Sequence, residues 1–401
     1  MKIIAIAFRY LTSRPLAAGL NLLLLTLGLA SITFVLLVST QLDRGFERDL
    51  AGIDVVVGAK GSPMQLILAG VFHIDVPTGN IPLEAVQALQ KNPQVAKLIP
   101  ISLGDTFRGF RIVGTTPAYT DHYGANVAQG AMWTQPMQAV VGAQVASSAG
   151  LAVGKSFIGS HGLGGTGHEH GDNPYRVTGV LAPCGCVLDR LVLTSTESVW
   201  QVHEKATVLD AEDQKIMEAE REITLALITY NSPLAAVSFP RFINTTTEMQ
   251  AAAPAVEVTR LLRMVGVGTD VLRGFGAVLL LTAGLSVFIA LWNAVRERRA
   301  DLAMLRMLGA SPAKVAGLVL CEALLLALVA IALGLSLGHV LTQVAGYWMQ
   351  TERSLPLTGW IWLPAEGLIP ALGVGVALLA AMLPAMGAYR LDVTTLLNSR
   401  G

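Results

Sequence analysis

The distribution of charged residues constrains this chain more than any other feature of its sequence. Four long stretches contain no Asp, Glu, Lys or Arg: residues 15–42, 274–295, 323–351 and 367–389. An α-helix rises about 1.5 Å per residue, so about 20 apolar residues cross a hydrocarbon layer about 30 Å thick. Each stretch is long enough to span a membrane. We therefore predict transmembrane helices at residues 17–42, 273–295, 316–345 and 363–388.

Composition supports this interpretation, because 53% hydrophobic and 14% charged residues are outside the range of ordinary soluble proteins. Residues 1–16 combine apolar side chains with sparse basic ones, which predicts a helix at the membrane interface. The apolar run that follows is too long for a signal peptide, and no small-x-small cleavage site comes after it. We expect an uncleaved first span.

Lys and Arg residues outside the spans predict the orientation of the chain. Residues 1–16, 296–315 and 389–401 together contain ten basic and three acidic residues, whereas residues 43–272 contain 16 basic and 22 acidic residues. Short basic segments stay in the cytoplasm. We therefore predict cytoplasmic termini, a cytoplasmic loop at 296–315, a periplasmic domain at 43–272 and a periplasmic loop at 346–362. Nothing in this pattern indicates nucleic-acid binding.

Short apolar strands and helical segments alternate within residues 43–272, which predicts a mixed α/β domain. We expect one subdomain from residues 44–117 and 206–272 and an inserted subdomain at 118–205. The predicted elements include helices at Leu83–Gln90 and Ala211–Arg221 and strands at Val95–Ile101, Phe107–Gly114 and Tyr175–Leu181. The fold class is thus a membrane protein with four transmembrane α-helices and a large extracytoplasmic α/β domain between the first and second spans.

Two apolar motifs allow more than one interpretation. The segment Met64–Phe72 suits an element that faces lipid, a lipidated client or an extension of the first span, and it equally suits a buried core element. Gly334 and Gly338 form GxxxG, which predicts close helix packing. The motif does not distinguish a contact between subunits from one within the subunit.

The loop at 296–315 predicts a short helix over Glu297–Gly309 outside the bilayer. Its apolar residues are Leu302, Leu305 and Leu308, Gly309 ends it, and Ser311 caps the next helix. A rigid, partly apolar helix between two spans is suited to docking on a soluble partner.

This loop, RERRADLAMLRMLGASPAKV, resembles the permease signature of the MacB/LolC/FtsX superfamily. AFRYLTSRP near the start, VVGAQVASSAGLAVGKSF with YRVTGVL in the outer domain, and PAMGAYRLDVTTLLNSR at the end also resemble segments of that family. Asp392-Val393 lacks the proline that is usual there. Together these motifs extend over nearly the whole chain.

The resemblance implies a non-catalytic permease that works with a second copy of itself and two copies of a separate ABC ATP-binding subunit, which binds the ATP and Mg. It implies a bacterial inner-membrane protein that handles a lipoprotein, lipid or peptide-like substrate, with a periplasmic lipoprotein or adaptor as a further partner. ATPase coupling is expected from Glu297, Arg299, Leu302, Leu305, Leu308 and Ser311. Glu322 is expected to be either a polar anchor near the ATPase or a side chain that reaches the membrane interface.

Two other functions are compatible with parts of the sequence. An FtsX-like membrane regulator would activate a periplasmic hydrolase, but such proteins have smaller outer domains than this one. A membrane metalloenzyme would use the HEH sequence at residues 168–170. The absence of H-E-x-x-H from the sequence disfavours it.

Histidine and cysteine residues are concentrated in the outer domain, where a Gly/His-rich loop precedes the sequence PCGC. Imidazole and thiolate groups both bind Zn²⁺, which usually takes four such ligands. The candidate ligands are His161, His168, His170, Cys184 and Cys186. The alternatives are a solvated loop and a cysteine pair that is structural or oxidised.

Overall fold

The structure is a computed structural model and describes residues 3–161, 173–203, 220–351 and 357–391. The chain forms two compact units, Arg44–Arg263 and the combination of Met1–Asp43 with Met264–Gly401. The helices are α1 Ile3–Thr12, α2 Pro15–Leu50, α3 Pro63–Gly70, α4 Leu83–Gln90, α5 Ala118–His122, α6 Ala143–Ala149, α7 Thr196–His203, α8 Ala235–Thr246, α9 Pro254–Glu297, α10 Arg299–Met307, α11 Pro312–Thr351 and α12 Leu368–Tyr389.

The strands are β1 Val55–Ala59, β2 Ile81–Pro82, β3 Val95–Phe107, β4 Phe110–Thr115, β5 Val127–Gly130, β6 Gln138–Val141, β7 Ser156–Phe157, β8 Ser160–His161, β9 Tyr175–Leu181, β10 Leu191–Ser195, β11 Glu222–Ile223, β12 Leu225–Tyr230 and β13 Met249–Ala252. The predicted helix Leu83–Gln90 and strand Tyr175–Leu181 are confirmed with the expected bounds. The acidic helix predicted at Ala211–Arg221 lies almost wholly outside the described residues.

Among the described residues, four helices are long and apolar enough to cross a membrane, as predicted. They lie at Pro15–Leu50, Gly266–Glu297, Pro312–Met349 and Pro364–Tyr389. The helices α2 and α9 extend well beyond the apolar stretches, to Leu50 and from Pro254. Charge marks the limit of the hydrocarbon layer but does not end a helix, because Arg and Glu have high helix propensity.

Small residues bring α11 close to α2. A Cβ atom added at Gly338 would lie 2.5 Å from the Cβ of Thr33, and one added at Gly334 would lie 2.7 Å from the Cβ of Leu29. Thr33 is fully buried and donates a hydrogen bond to the carbonyl of Leu29 at 2.8 Å. The GxxxG motif therefore packs within the subunit, against the first span.

The unit Arg44–Arg263 is built on a sheet with the strand order β13-β1-β12-β3-β4-β10-β6-β9-β5. Strands β13, β1, β12, β3 and β4 are successive antiparallel neighbours, with Val55 opposite Ile228 and Ile99 opposite Leu227. Strand β4 then pairs in parallel with β10, and β6 in parallel with β9. The long strand β3 thus belongs to both halves of the sheet.

Each half of this sheet has its own hydrophobic core. Helices α4 and α8 cover the first half, where Phe239 and Ile243 are fully buried. The second core contains Val141, Val177 and Val192. Strand β4 contributes Phe110 and Ile112 to the second core, although the predicted subdomain boundary places residues 44–117 in the other subdomain.

The apolar segment Met64–Phe72 contains most of helix α3 and the two residues after it, and it is a core element. Leu66, Ile67 and Phe72 are at most 1% exposed. The ring of Phe72 meets that of Phe46, near the end of α2, edge to face at 4.9 Å. Of the interpretations left open by the sequence, the structure favours burial and excludes a lipid-facing role for these side chains.

Replacement of Gly338 with alanine tests the contact between α11 and α2. The added methyl group would overlap Thr33 and approach the carbonyl oxygen of Ala30 at 3.1 Å. We expect the free energy of unfolding to fall by about 1–3 kcal/mol, as overpacking usually causes. Equilibrium unfolding in mixed detergent micelles measures this change.

Gly375 in α12 is the matched control, because an added Cβ would meet nothing within 4 Å. Alanine at this position should leave stability unchanged or raise it by up to about 1 kcal/mol through helix propensity. Equal effects of the two substitutions would contradict the close packing at Gly338.

Candidate functional site

The loop predicted to be cytoplasmic contains the short helix α10. It is separated from α9 at Arg298, whose backbone angles (φ −95°, ψ 15°) depart from the helical region. The single helix predicted over Glu297–Gly309 is therefore wrong at its start. Glu297 is the last residue of α9 rather than the first of the docking helix.

The end of α10 follows the sequence prediction. Gly309 has φ +93°, a left-handed conformation that ends a helix at little cost for glycine. Helix α11 begins at Pro312, and the amide of Lys314 lies 3.4 Å from the hydroxyl oxygen of Ser311. Four residues thus connect α10 to α11, which restricts how far the two helices can separate.

The apolar residues predicted for α10 face different surroundings. Leu302 is 3% exposed and belongs to the core of the membrane-spanning unit, and Leu305 packs partly against that core. Leu308 is 84% exposed at the end of the helix. Arg299 and Ser311 are also exposed. Of the residues predicted to couple to the ATPase, Leu302 therefore anchors α10 to the spans, whereas Leu308, Arg299 and Ser311 lie where a partner could reach them.

A cavity of about 220 Å³ lies beside α10, and we call it the α10 groove. Its walls come from α1, from α10 with the turn that follows it, and from the start of α11. The lining residues are Ile3, Ile6, Leu305, Leu308, Gly309, Ala310, Lys314, Val315 and Leu318. The groove is apolar with a single charged residue, Lys314, among these residues.

Arg298 connects α10 to two other elements. Its Nη1 lies 3.3 Å from Oε1 of Glu322 in α11, and its Nη2 donates to the carbonyl of Tyr10 and to the hydroxyl of Ser13, both at 3.2 Å. The guanidinium carbon lies 4.0 Å from the centroid of the Tyr10 ring, within the range of a cation–π contact. No sequence motif singles out this arginine.

Glu322 faces the interior of the membrane-spanning unit. Its side chain is 7% exposed and that of Arg298 is 13% exposed, so the two form a largely buried ion pair. The side chain is therefore directed toward Arg298 and away from the surface of the unit. The ion pair of Arg14 with Glu297 lies nearby but is far more exposed, at 40% and 55%.

The residues predicted to bind metal are only partly described by the structure. Cys184 and Cys186 are joined in a disulfide, so in this form neither sulfur is available as a thiolate ligand. The backbone of His161 pairs with that of Asp105, while His168 and His170 lie outside the described residues. Among the described residues no group of three or more His, Cys, Asp or Glu side chains could hold a metal.

Substitution of Arg298 by methionine tests the buried ion pair. Glu322 would then keep a charge inside the unit without its partner, so we expect a loss of about 3–5 kcal/mol in the free energy of unfolding. Adding Glu322→Leu should recover part of this loss, which a double-mutant cycle in mixed micelles would measure.

The exposed arginine Arg14 provides the control, because exposed pairs contribute about 0–1 kcal/mol. Arg14→Met should therefore lower the free energy of unfolding only slightly. If Arg298→Met lowered it equally little, the ion pair of Arg298 with Glu322 would not organise this region.

Comparison with known families matches two parts of the sequence. The MacB-like periplasmic core domain matches residues 18–227, and the FtsX-like permease C-terminal matches residues 273–393. No curated protein matches the chain.

Two solved structures are similar to about half of the chain. The periplasmic region of MacB from Actinobacillus actinomycetemcomitans is 14% identical, with a TM-score of 0.34, over 53% of this chain and 95% of that one. The extracellular domain of the noncanonic ABC-type transporter YknZ from Gram-positive bacteria is 13% identical, with a TM-score of 0.32, over 49% of this chain and 98% of that one.

The two family matches follow the architecture described above. The first extends over more than half of the chain and includes most of the unit Arg44–Arg263, and the second extends over the last three spans and α10. The chain therefore belongs to the MacB/FtsX/LolC-type permeases and is a multi-pass bacterial membrane protein.

Proposed function

We propose that this chain is the permease subunit of an ABC transporter in which a separate subunit hydrolyses ATP and thereby moves the outer domain. The α10 groove supports this proposal most directly. It presents the exposed side chain of Leu308, with partly buried apolar side chains around it, next to a helix that Arg298 and Leu302 anchor to the spans. A partner that pushes on such a helix would displace the spans rather than deform the loop.

The complete assembly would contain two ATP-binding subunits with ATP and Mg and a second copy of this chain. The basic segments support an inner-membrane orientation with both termini in the cytoplasm and the outer domain in the periplasm. A lipoprotein, lipid or peptide-like substrate suits a permease of this family, with a periplasmic adaptor or lipoprotein as a further partner. The permease itself would be non-catalytic.

The alternative is an FtsX-like regulator that activates a periplasmic hydrolase. It would use the same groove and ATPase, so the two functions differ only in what the outer domain contacts. The match of residues 18–227 to the MacB-like periplasmic core domain favours the transporter.

Replacement of Leu308 with aspartate tests the docking site. Because 84% of this side chain is exposed, the fold should persist while the apolar contact is lost. We expect co-purification of ABC ATP-binding subunits, identified by mass spectrometry from native membranes, to fall at least tenfold, roughly the effect of 1.4 kcal/mol.

Leu234→Asp in the outer domain is the matched control, since Leu234 is 80% exposed. It should leave co-purification unchanged, and both variants should insert into the membrane. An undiminished yield of ATP-binding subunits with Leu308→Asp would refute docking at the α10 groove.

Zinc binding by the outer domain is a separate proposal. It is supported by the density of candidate ligands, and it draws the usual four from reduced Cys184 and Cys186 and from His161, His168 and His170. We expect the reduced full-length protein to bind zinc and the variant His168→Asn/His170→Asn to lose it, as measured by elemental analysis. Reduced wild-type protein without zinc would eliminate the proposal.

A further inference from the structure

The disulfide between Cys184 and Cys186 closes a small loop at the surface of the outer domain. Cys184 is partly exposed and Gly185 is exposed, whereas Cys186 is 7% exposed. The two cysteines therefore differ in accessibility, and an external thiol would reach Cys184 first. Neither residue has a role in the proposed transport function.

Asp189 holds the backbone of this loop in one conformation. Its Oδ1 accepts from the amide of Cys184 at 3.0 Å, and its Oδ2 accepts from the amide of Gly185 at 2.7 Å. Gly185 has φ +63°, a left-handed conformation that suits glycine. The carbonyl of Gly185 is thereby fixed in direction.

The end of helix α2 binds to this fixed loop. Arg48 donates from Nη1 to the carbonyl of Gly185, and the amide of Val187 donates to Oδ1 of Asp49 at 2.9 Å. Oδ2 of Asp49 also lies 3.6 Å from Nη2 of Arg190, with side chains only 5% and 8% exposed. Successive residues of α2 thus bind positions on both sides of Cys186.

The buried pair adds a constraint on this contact. Burial lowers the pKa of the Arg190 guanidinium, and the Asp49 carboxylate opposes that shift. Buried charges of this kind need their partners. The end of α2 therefore cannot leave the loop without exposing or separating Asp49 and Arg190.

We propose that Cys184–Cys186 is a thiol–disulfide exchange site for a dithiol reductant, and that its reduction loosens the contact between the end of α2 and the loop at residues 184–190. The inference rests only on the outer domain and is independent of any ATP-binding partner. It makes the attachment of the end of α2 to this loop dependent on the redox state of the compartment that contains the outer domain.

The exchange needs no group other than the dithiol. One thiol of the reductant loses its proton and attacks the exposed sulfur of Cys184, which breaks the disulfide and releases Cys186 as a thiolate that takes up a proton. The second thiol of the reductant then attacks the mixed disulfide and releases Cys184 as a thiol. The reductant leaves as a disulfide, having supplied two electrons and two protons.

Opening the ring changes the loop because it restores backbone freedom to Gly185. Glycine loses more conformational entropy on ordering than any other residue, so an unrestrained Gly185 would hold its carbonyl less firmly toward Arg48. The amide of Val187, next to Cys186, would be loosened with it. Asp49 would then keep Arg190 as its main partner.

Hydrogen exchange of the full-length protein in detergent, with and without dithiothreitol, tests the proposal. Reduction should speed exchange of the amides at residues 46–50 and 184–190 by about fivefold or more, as expected for a local opening, and leave residues 17–42 of α2 and the other three spans unchanged. Mass spectrometry after alkylation should show two new reactive thiols, at Cys184 and Cys186, only after reduction.

Two variants provide controls. Cys184→Ser/Cys186→Ser should exchange rapidly at the same amides and no longer respond to dithiothreitol. Cys321→Ser removes the unpaired thiol in the third span and should respond like the wild type. Reactive thiols at Cys184 and Cys186 before reduction, or exchange that dithiothreitol does not change in the wild type, would overturn the proposal. The wild-type comparison decides the question even if the double variant fails to fold.

Discussion

The buried contact between Arg298 and Glu322 determines the arrangement of the membrane-spanning unit at the α10 groove. A charge with so little exposure is tolerated only where an opposite charge and hydrogen-bond acceptors surround it, and Arg298 finds these in α11 and α1. The guanidinium therefore fixes α10 against both helices at once. The walls of the groove come from these same three helices, so its shape depends on the pair.

Much of the fold could be predicted from the sequence because a hydrocarbon layer excludes charge. The apolar stretches identify the spans, but the helical extension of the first one to Leu50 was missed, since it carries ordinary helix-forming charged residues. Helix α3 was harder to place. A short run of consecutive apolar residues fits a buried element and a lipid-facing one equally well, and tertiary packing alone decides between them.

The candidate site was only partly predictable, for two physical reasons. The spacing of Leu302, Leu305 and Leu308 indicated an apolar helix, but local periodicity does not reveal which residue anchors it and which remains exposed. The partnership of Arg298 with Glu322 joins residues 24 positions apart through tertiary structure, and no local pattern encodes it. For Cys184 and Cys186, the spacing is compatible with zinc or with a disulfide, because residue order carries no information on oxidation state.

The close approach of Gly338 to Thr33 has a mechanical consequence for the spans. Backbones in such tight contact leave no space for one helix to slide or rotate past the other, so α2 and α11 form a rigid helix pair. Four residues connect α11 of this pair to α10, and α2 continues without interruption to Leu50. A displacement at one end would thus be carried along the paired helices.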